Sequence, residues 1–262
     1  MGKRLVVVSD LHCGHRAGLC CPGYQFALQD ASESRRAWAQ LQRELWQWYA
    51  ATLRALQPID WLVCNGDAID GRGSRNNGVE LITPDLSQQA DMATAALEEA
   101  RAGRYLLIGG TPYHSDPDGE AWEAIIAERL GAIFGGHEWL DINGCVFDFK
   151  HKVGSSSVPH GRHTAIGRER MWNVLWHERD WAPLSRVIIR SHVHYHEYSG
   201  NPTHLAMTTP ALQGPGSSYG IRQCSGVVDF GLLHFDIDED GGFTWKAHLL
   251  NINSMRPVPV QG

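Results

Sequence analysis

The chain has 262 residues, 43% apolar and 20% charged, a globular balance with enough length to bury a sizeable core. Gly (28) and Pro (12) are too few for a collagen-like or low-complexity chain, and no run approaches the roughly 18 apolar residues of a membrane span. The net charge of −6, with no block of five Lys or Arg, argues against a module held on nucleic acid by its phosphates.

Residues 4–10 form a short apolar run that ends in polar residues, which predicts a buried strand. Residues 32–56 are helical: Trp38, Leu41, Leu45, Trp48, Tyr49, Leu53 and Leu56 recur at three- and four-residue steps on one face. Pro58 stops that helix, and a second buried strand over 59–64 runs into Asn65-Gly66-Asp67. A helix is predicted over 84–102, with Pro84 in its first turn and Gly103 as its C-terminal cap. A strand over 105–108 ends in Gly109-Gly110, and a helix follows over about 119–130. Strands 138–142 and 145–150 flank the hairpin signal Asn143-Gly144. A helix over 164–179 leads to a strand over 187–190 that again runs into a polar motif. Strands over 203–208, 226–238 and 243–252 make the C-terminal third all β, with Asp240-Gly241-Gly242 as the last turn. The irregular stretch 212–226, rich in Gly and Ser, reads as a surface loop. The expected architecture is a single α/β domain over 1–262, two mixed β-sheets face to face with helices outside: a four-layer αββα sandwich.

The six cysteines (Cys13, Cys20, Cys21, Cys64, Cys145 and Cys224) form no C-x-x-C pair and read as reduced thiols of a reducing cytosol. The first ten residues break at Ser9 and Asp10 and lack the apolar centre of a signal peptide. A soluble, cytoplasmic protein with no membrane partner is the expectation.

Histidine stands out, at 14 residues against 4 Lys and 8 Asn. Its side chain is both the near-neutral proton carrier and the commonest metal ligand. Asp10-Leu11-His12 follows the first strand with two ligand types at i and i+2, a spacing that points both to one side of an extended chain. His192-Val193-His194 repeats it after the strand over 187–190. Asp67 follows a strand through a glycine, and His151 follows the run 146–150. Ligands collect at the carboxyl ends of strands in α/β sheets, so these groups are placed to converge. Mixed imidazole and carboxylate donors suit Zn, Fe or Mn rather than Ca.

The order of the parts is more specific than any one of them: D-x-H, then G-D, then a glycine-ended strand with a following His, a lone His, and H-x-H. Across residues 10 to 194 this order resembles the calcineurin-like metallophosphoesterases, and the form Gly110-Thr111-Pro112-Tyr113-His114 looks like that of phage and prophage members. The resemblance implies two divalent transition-metal ions (Mn, Fe or Zn) bridged by Asp67. Asp10, His12 and His194 complete one ion's protein ligands; His151 and His192 serve the other. The family's G-N-H motif is altered here and its Asn ligand is absent. Thr111, a water, or His114 moving onto the metal are the three ways to fill that place. The resemblance further implies His114 as a catalytic histidine oriented by Asp70, with hydroxide between the metals attacking phosphorus. Arg72, Thr111 and Tyr219, with Arg222, are the expected substrate contacts. His15 and His196 adjoin the motifs as cleft residues, and Cys13 reads as packing.

The function implied is hydrolysis of phosphate esters, phosphodiesters before monoesters, with a nucleotide or oligonucleotide as a possible substrate. The rivals are a DNA nuclease, encouraged by Ser9-Asp10-Leu11-His12-Cys13-Gly14 but lacking a nucleic-acid-binding region, and a non-catalytic metal-binding scaffold.

Overall fold

The structure, a computed structural model, describes residues 1–73, 77–112, 121–156, 158–223 and 227–252. Its strands are β1 (Lys3–Val8), β2 (Trp61–Cys64), β3 (Arg104–Ile108), β4 (Ile133–Gly135), β5 (His137–Ile142), β6 (Cys145–Lys152), β7 (Val187–Ser191), β8 (Tyr198–Asn201), β9 (His204–Thr208), β10 (Phe230–Ile237) and β11 (Phe243–Leu250). The helices are α1 (Glu33–Ala55), α2 (Leu86–Glu98), α3 (Trp122–Leu130), α4 (Arg162–Glu178) and α5 (Ser218–Gln223).

One sheet runs β11-β10-β1-β2-β3-β4 and the other β5-β6-β7-β9-β8. Both are mixed: β1 to β4 are parallel neighbours, as are β6, β7 and β9, while β10 pairs antiparallel with β1 and the hairpin partners β11, β5 and β8 close three of the edges antiparallel. Side chains alternate across each sheet, so each strand feeds two cores. Leu5, Val7, Val63, Leu106 and Ile108 face Phe147, Phe149, Val187, Ile189 and Met207 between the sheets. Val6, Val8, Leu62 and Cys64 turn the other way, onto α1 and α2. Ile188 and Ala206 meet Ile166 of α4 on the outer face of the second sheet. This is the four-layer α/β sandwich that the strand and helix pattern led one to expect.

Local chemistry sets the element ends. Ser32 caps α1, accepting from the Arg35 amide at 3.4 Å. Trp38, Leu41, Leu45, Tyr49 and Leu53 are buried along one face of α1, and the Tyr49 hydroxyl donates to the Ala96 carbonyl at 2.8 Å. The helix expected over 84–102 is shorter at both ends. Asp85 caps it, accepting from the amides of Ser87 and Gln88 at 2.9 and 3.3 Å, which Pro84 has no means to do. Gly103 caps nothing; its amide donates to the Ile59 carbonyl and leads into β3. Asn143 and Gly144 both take positive φ, 54° and 84°, the two-residue hairpin turn expected between β5 and β6. The stretch 212–226 is not all loop, since α5 lies within it, and the C-terminal third is therefore not all β. Cys13, Cys20, Cys21, Cys64 and Cys145 are unpaired and buried; Cys224 lies outside the described residues. Among the described residues no helix is long and apolar enough to cross a membrane.

Candidate metal centre

The carboxyl ends of β1, β2, β3, β6 and β7 meet at one end of the sandwich. The Asp10 amide donates to the Gly66 carbonyl and the His12 amide to the Asp67 carbonyl, which ties the chain after β1 to that after β2. Asn65 joins the two sheets there: its side-chain amide donates to Ser191 Oγ at 2.7 Å and its carbonyl lies 2.7 Å from His151 Nδ1.

Two groups of ligand-type atoms result, Asp10–His12–His194 and Asp67–His151–His192, each with its atoms within 4.8 Å of one another. In the first, His12 Nε2 and His194 Nε2 are 3.3 Å apart, and Asp10 Oδ1 lies 3.2 Å from His194 Nε2 and 4.0 Å from His12 Nε2. Asp10 Oδ1 is buried and makes no hydrogen bond among the described residues. A buried carboxylate oxygen left in this way, facing two imidazole nitrogens, is what a cation would satisfy. The other Asp10 oxygen accepts from Ser9 Oγ at 2.7 Å and from the His192 amide at 3.3 Å, which links the two groups.

In the second group, Asp67 Oδ2 lies 3.0 Å from His151 Nε2 and 4.0 Å from His192 Nδ1. The Thr111 amide donates to Asp67 Oδ1 at 2.6 Å, and its hydroxyl stands 3.2 Å from Asp67 Oδ2, 3.3 Å from His151 Nε2 and 3.2 Å from His192 Nδ1. Outer partners orient the rings: Asp70 Oδ1 holds His12 Nδ1 at 3.0 Å, and the Asn65 carbonyl holds His151 Nδ1. Each such bond fixes the proton on Nδ1 and leaves Nε2 facing the cluster. Tyr219 packs against His194 with ring centroids 4.8 Å apart, and its hydroxyl donates to the His192 carbonyl at 2.7 Å.

Charge follows the same geometry. Burial opposes ionisation of Asp10, yet His194 and His151 beside it hold its carboxyl well below the usual range. Burial works to lower the His151 pKa, but the Asp67 carboxylate outweighs it and raises the value to about 10. A cation entering the second group therefore displaces a proton.

The backbone is unusual here. Asp10, His12, Asp67, His192 and His194 all take positive φ, between 45° and 75°, a region that non-glycine residues seldom occupy. Five of the six ligand-type residues thus sit in sharp turns past their strand ends. The i, i+2 pairs converge through these left-handed turns and not through the extended alternation expected of them. Such conformations persist where the surroundings over-determine them, and they gather at functional sites.

A cavity of about 600 Å³ opens over both groups. His12, Asp67, Asp70, Thr111, His192, His194, Tyr219 and Arg222 line it, as does His15. Arg72 is exposed and is not among the lining residues, and neither is His196, whose Nδ1 lies 2.7 Å from the Thr208 carbonyl. Tyr219, expected as a substrate contact, also braces the two histidines. His114 lies outside the described residues, so its pairing with Asp70 is not described; Asp70 holds His12. Cys13 is a packing residue, its thiol donating to the Leu19 carbonyl at 3.2 Å. The lining residues Lys152, Ser155, Gln213, Ser217, Ser218 and Glu80 had no motif to mark them. Buried Glu80 accepts from the Ser218 hydroxyl at 2.9 Å and pairs with Arg16 at 3.1 Å, holding the start of α5 over the cavity.

No family model and no curated protein matches the chain. Solved structures do. Wild-type Vps29 complexed with Zn²⁺, from Entamoeba histolytica, shares 14% identity over 94% of this chain and 98% of its own, with a TM-score of 0.43. A novel archaeal phosphodiesterase shares 12% over 94% of this chain and 99% of its own, TM-score 0.43. A predicted phosphoesterase of Streptococcus pneumoniae shares 10% over 95% and 99%, TM-score 0.40. None of these likenesses assigns a role to a residue of this chain.

Proposed function

We propose that the chain is a dinuclear metal-dependent hydrolase of phosphate esters, with phosphodiesters favoured. The observation that carries this reading is the pair of His/Asp groups, Asp10–His12–His194 and Asp67–His151–His192, meeting at the floor of one cavity. Two bound divalent ions supply neutralisation of phosphate oxygens and a lowered pKa for water. The chain's own residues do the rest. Asp10 and Asp67 present buried carboxylates, and Asp70 and Asn65 aim the imidazoles. Tyr219 fixes the turn that carries His192. Lys152 and Arg222 bring positive charge to the cavity, where an anionic ester enters. His114, three residues after Thr111 in the sequence, is assigned as the proton donor to the leaving oxygen.

A volume of about 600 Å³ falls in the range of roughly 300–1,000 Å³ typical of small-molecule sites, which supports a small diester over duplex DNA. The test is a metal count on the purified chain, with hydrolysis of a chromogenic diester and of single-stranded DNA compared side by side. Two ions per chain and diester hydrolysis that EDTA removes and Mn²⁺ restores are expected. Faster cleavage of the DNA identifies a nuclease; two ions without hydrolysis identify a scaffold; no bound metal ends the reading.

Gly110 gives a further check. A Cβ there would collide with the Asp67 carboxylate and its backbone nitrogen, whereas a Cβ at Gly136 meets nothing within 4 Å. Gly110→Ala is expected to weaken metal retention by at least about tenfold, in the range of disturbed outer contacts. Gly136→Ala is expected to bind metal like the unchanged chain, and equal retention in both variants counts against the site.

A further inference from the structure

We infer that the Thr111 hydroxyl is the fourth protein ligand of the second ion, a role that rests on the dinuclear reading above. Three open positions in the sequence, a threonine oxygen, a water or His114, thereby reduce to one group. Thr111 Oγ1 stands within 3.2–3.3 Å of all three other donor atoms of the second group: Asp67 Oδ2, His151 Nε2 and His192 Nδ1. Metal–nitrogen and metal–oxygen bonds run about 2.0–2.2 Å, so adjacent donors on one ion sit about 2.8–3.6 Å apart. The hydroxyl meets that spacing to every member of the group, as does the 3.0 Å approach of His151 to Asp67.

A hydrogen-bonding role alone explains less. Asp67 Oδ1 already accepts from the Thr111 amide at 2.6 Å, so the residue is anchored without its side chain. In the metal-free protein the hydroxyl can donate to the carboxylate and accept from a ring N–H; once the imidazoles are deprotonated, as ligation requires, its lone pairs are left facing the same point as the other donors. Neutral Ser/Thr hydroxyls serve as ligands of hard divalent ions elsewhere, as in phosphate-binding loops that hold Mg²⁺. Gly110, just before Thr111, permits its close approach, since it leaves no Cβ against Asp67.

The experiment is Mn²⁺ binding by calorimetry and by electron paramagnetic resonance of the exchange-coupled pair, on the full chain and on Thr111→Val and Thr111→Ser. Valine keeps the shape and removes the oxygen; serine keeps the oxygen and removes the methyl. For the unchanged chain two ions and a coupled spectrum are expected. Thr111→Val is expected to retain the first ion at unchanged affinity, to weaken the second by at least about tenfold and to lose the coupled signal. Thr111→Ser is expected to keep both ions and the coupling. Unchanged binding of both ions by Thr111→Val overturns the inference, and so does equal loss in the Ser variant, which would place the effect in packing. An unchanged chain that takes fewer than two ions overturns the dinuclear reading itself, and the inference with it.

Discussion

Asp67→Asn is expected to abolish diester hydrolysis, with a loss well beyond the roughly 10–100-fold that outer-contact changes cost. The residue is 1% exposed and both carboxylate oxygens are committed. Oδ1 accepts the Thr111 amide, while Oδ2 faces His151, His192 and the Thr111 hydroxyl. An amide has one oxygen, so either its NH₂ meets the Thr111 N–H or it points donors at the ligand cluster. Neither orientation keeps the cluster able to hold a cation. The same substitution changes the metal-free protein. With the carboxylate gone, only Asp10 and the Asn65 carbonyl still oppose burial at His151, and its pKa is expected to fall well below about 10. A histidine whose folded pKa is raised contributes stability that is complete below its unfolded pKa and is lost as pH rises through the folded one. In metal-free unchanged protein the Asp67–His151 pair therefore stabilises fully at pH 6 and fades toward pH 10. Denaturant unfolding at those two values, on both chains under chelation, reads the difference: the Asn variant lacks that decline. A variant that keeps the decline, or that keeps hydrolysis, sinks the role given to Asp67.

Much of this site was legible in the sequence because its donors follow strand ends in a fixed order. Asp10, His12, Asp67, His192 and His194 follow short apolar runs that break into polar residues, His151 lies near the end of β6 itself, and the parallel strands carry these positions to one end. The left-handed turns that aim five of them were not legible, since Asp and His in a D-x-H or H-x-H give no sign of backbone sense. Nor was Asn65 as the tie between the sheets, because its partners His151 and Ser191 are set by how the two sheets pack. Thr111 shows the same limit from the other side. Its residue type left three alternatives, and only the shape of the turn after β3 brings its hydroxyl among three donors. The fold misses are the small elements: β4, β8 and α5 have three, four and six residues, too few to express a period. Arg72 was singled out because Gly66-Asp67-Ala68-Ile69-Asp70-Gly71-Arg72 resembles the family's G-D-x-x-D-R-G with the Arg displaced by one place; it is exposed and does not line the cavity.

Arg190→Met is expected to cost about 3–5 kcal/mol of stability at neutral pH, through the charge it leaves behind and not the one it removes. Arg190 is fully buried on β7, two residues before His192. Its Nη1 donates to Asp148 Oδ1 at 2.6 Å and to the Asp148 carbonyl at 3.0 Å, and its Nε donates to Glu169 at 2.7 Å. His137 holds Asp148 Oδ1 at 2.9 Å from β5, and Lys150 reaches Glu169 at 2.9 Å, so β5, β6, β7 and α4 share one charged network. Burial pushes the Asp148 pKa up, but His137 and Arg190 outweigh it and hold the carboxyl below its ordinary value; Glu169 is held down by Arg190 and Lys150 against the same burial. Carboxyls with depressed folded pKa contribute stability above their unfolded values, near 4, and lose it as pH falls through the folded ones. Without Arg190 only His137 opposes burial at Asp148, so its pKa is expected to rise relative to the unchanged chain, and protonation relieves part of the cost. The gap between the two chains is therefore widest near pH 7 and narrows on acidification toward pH 4. Urea unfolding at both values measures it, and a gap under about 1 kcal/mol, or one that does not change with pH, refutes the account. Because Ser191 and His192 follow on the same strand, the network also sets where the second metal group begins. Loosening β7 in Arg190→Met is thus expected to weaken the second ion more than the first: the second takes His151 and His192 from this sheet, whereas the first takes only His194 from it and Asp10 and His12 from the end of β1.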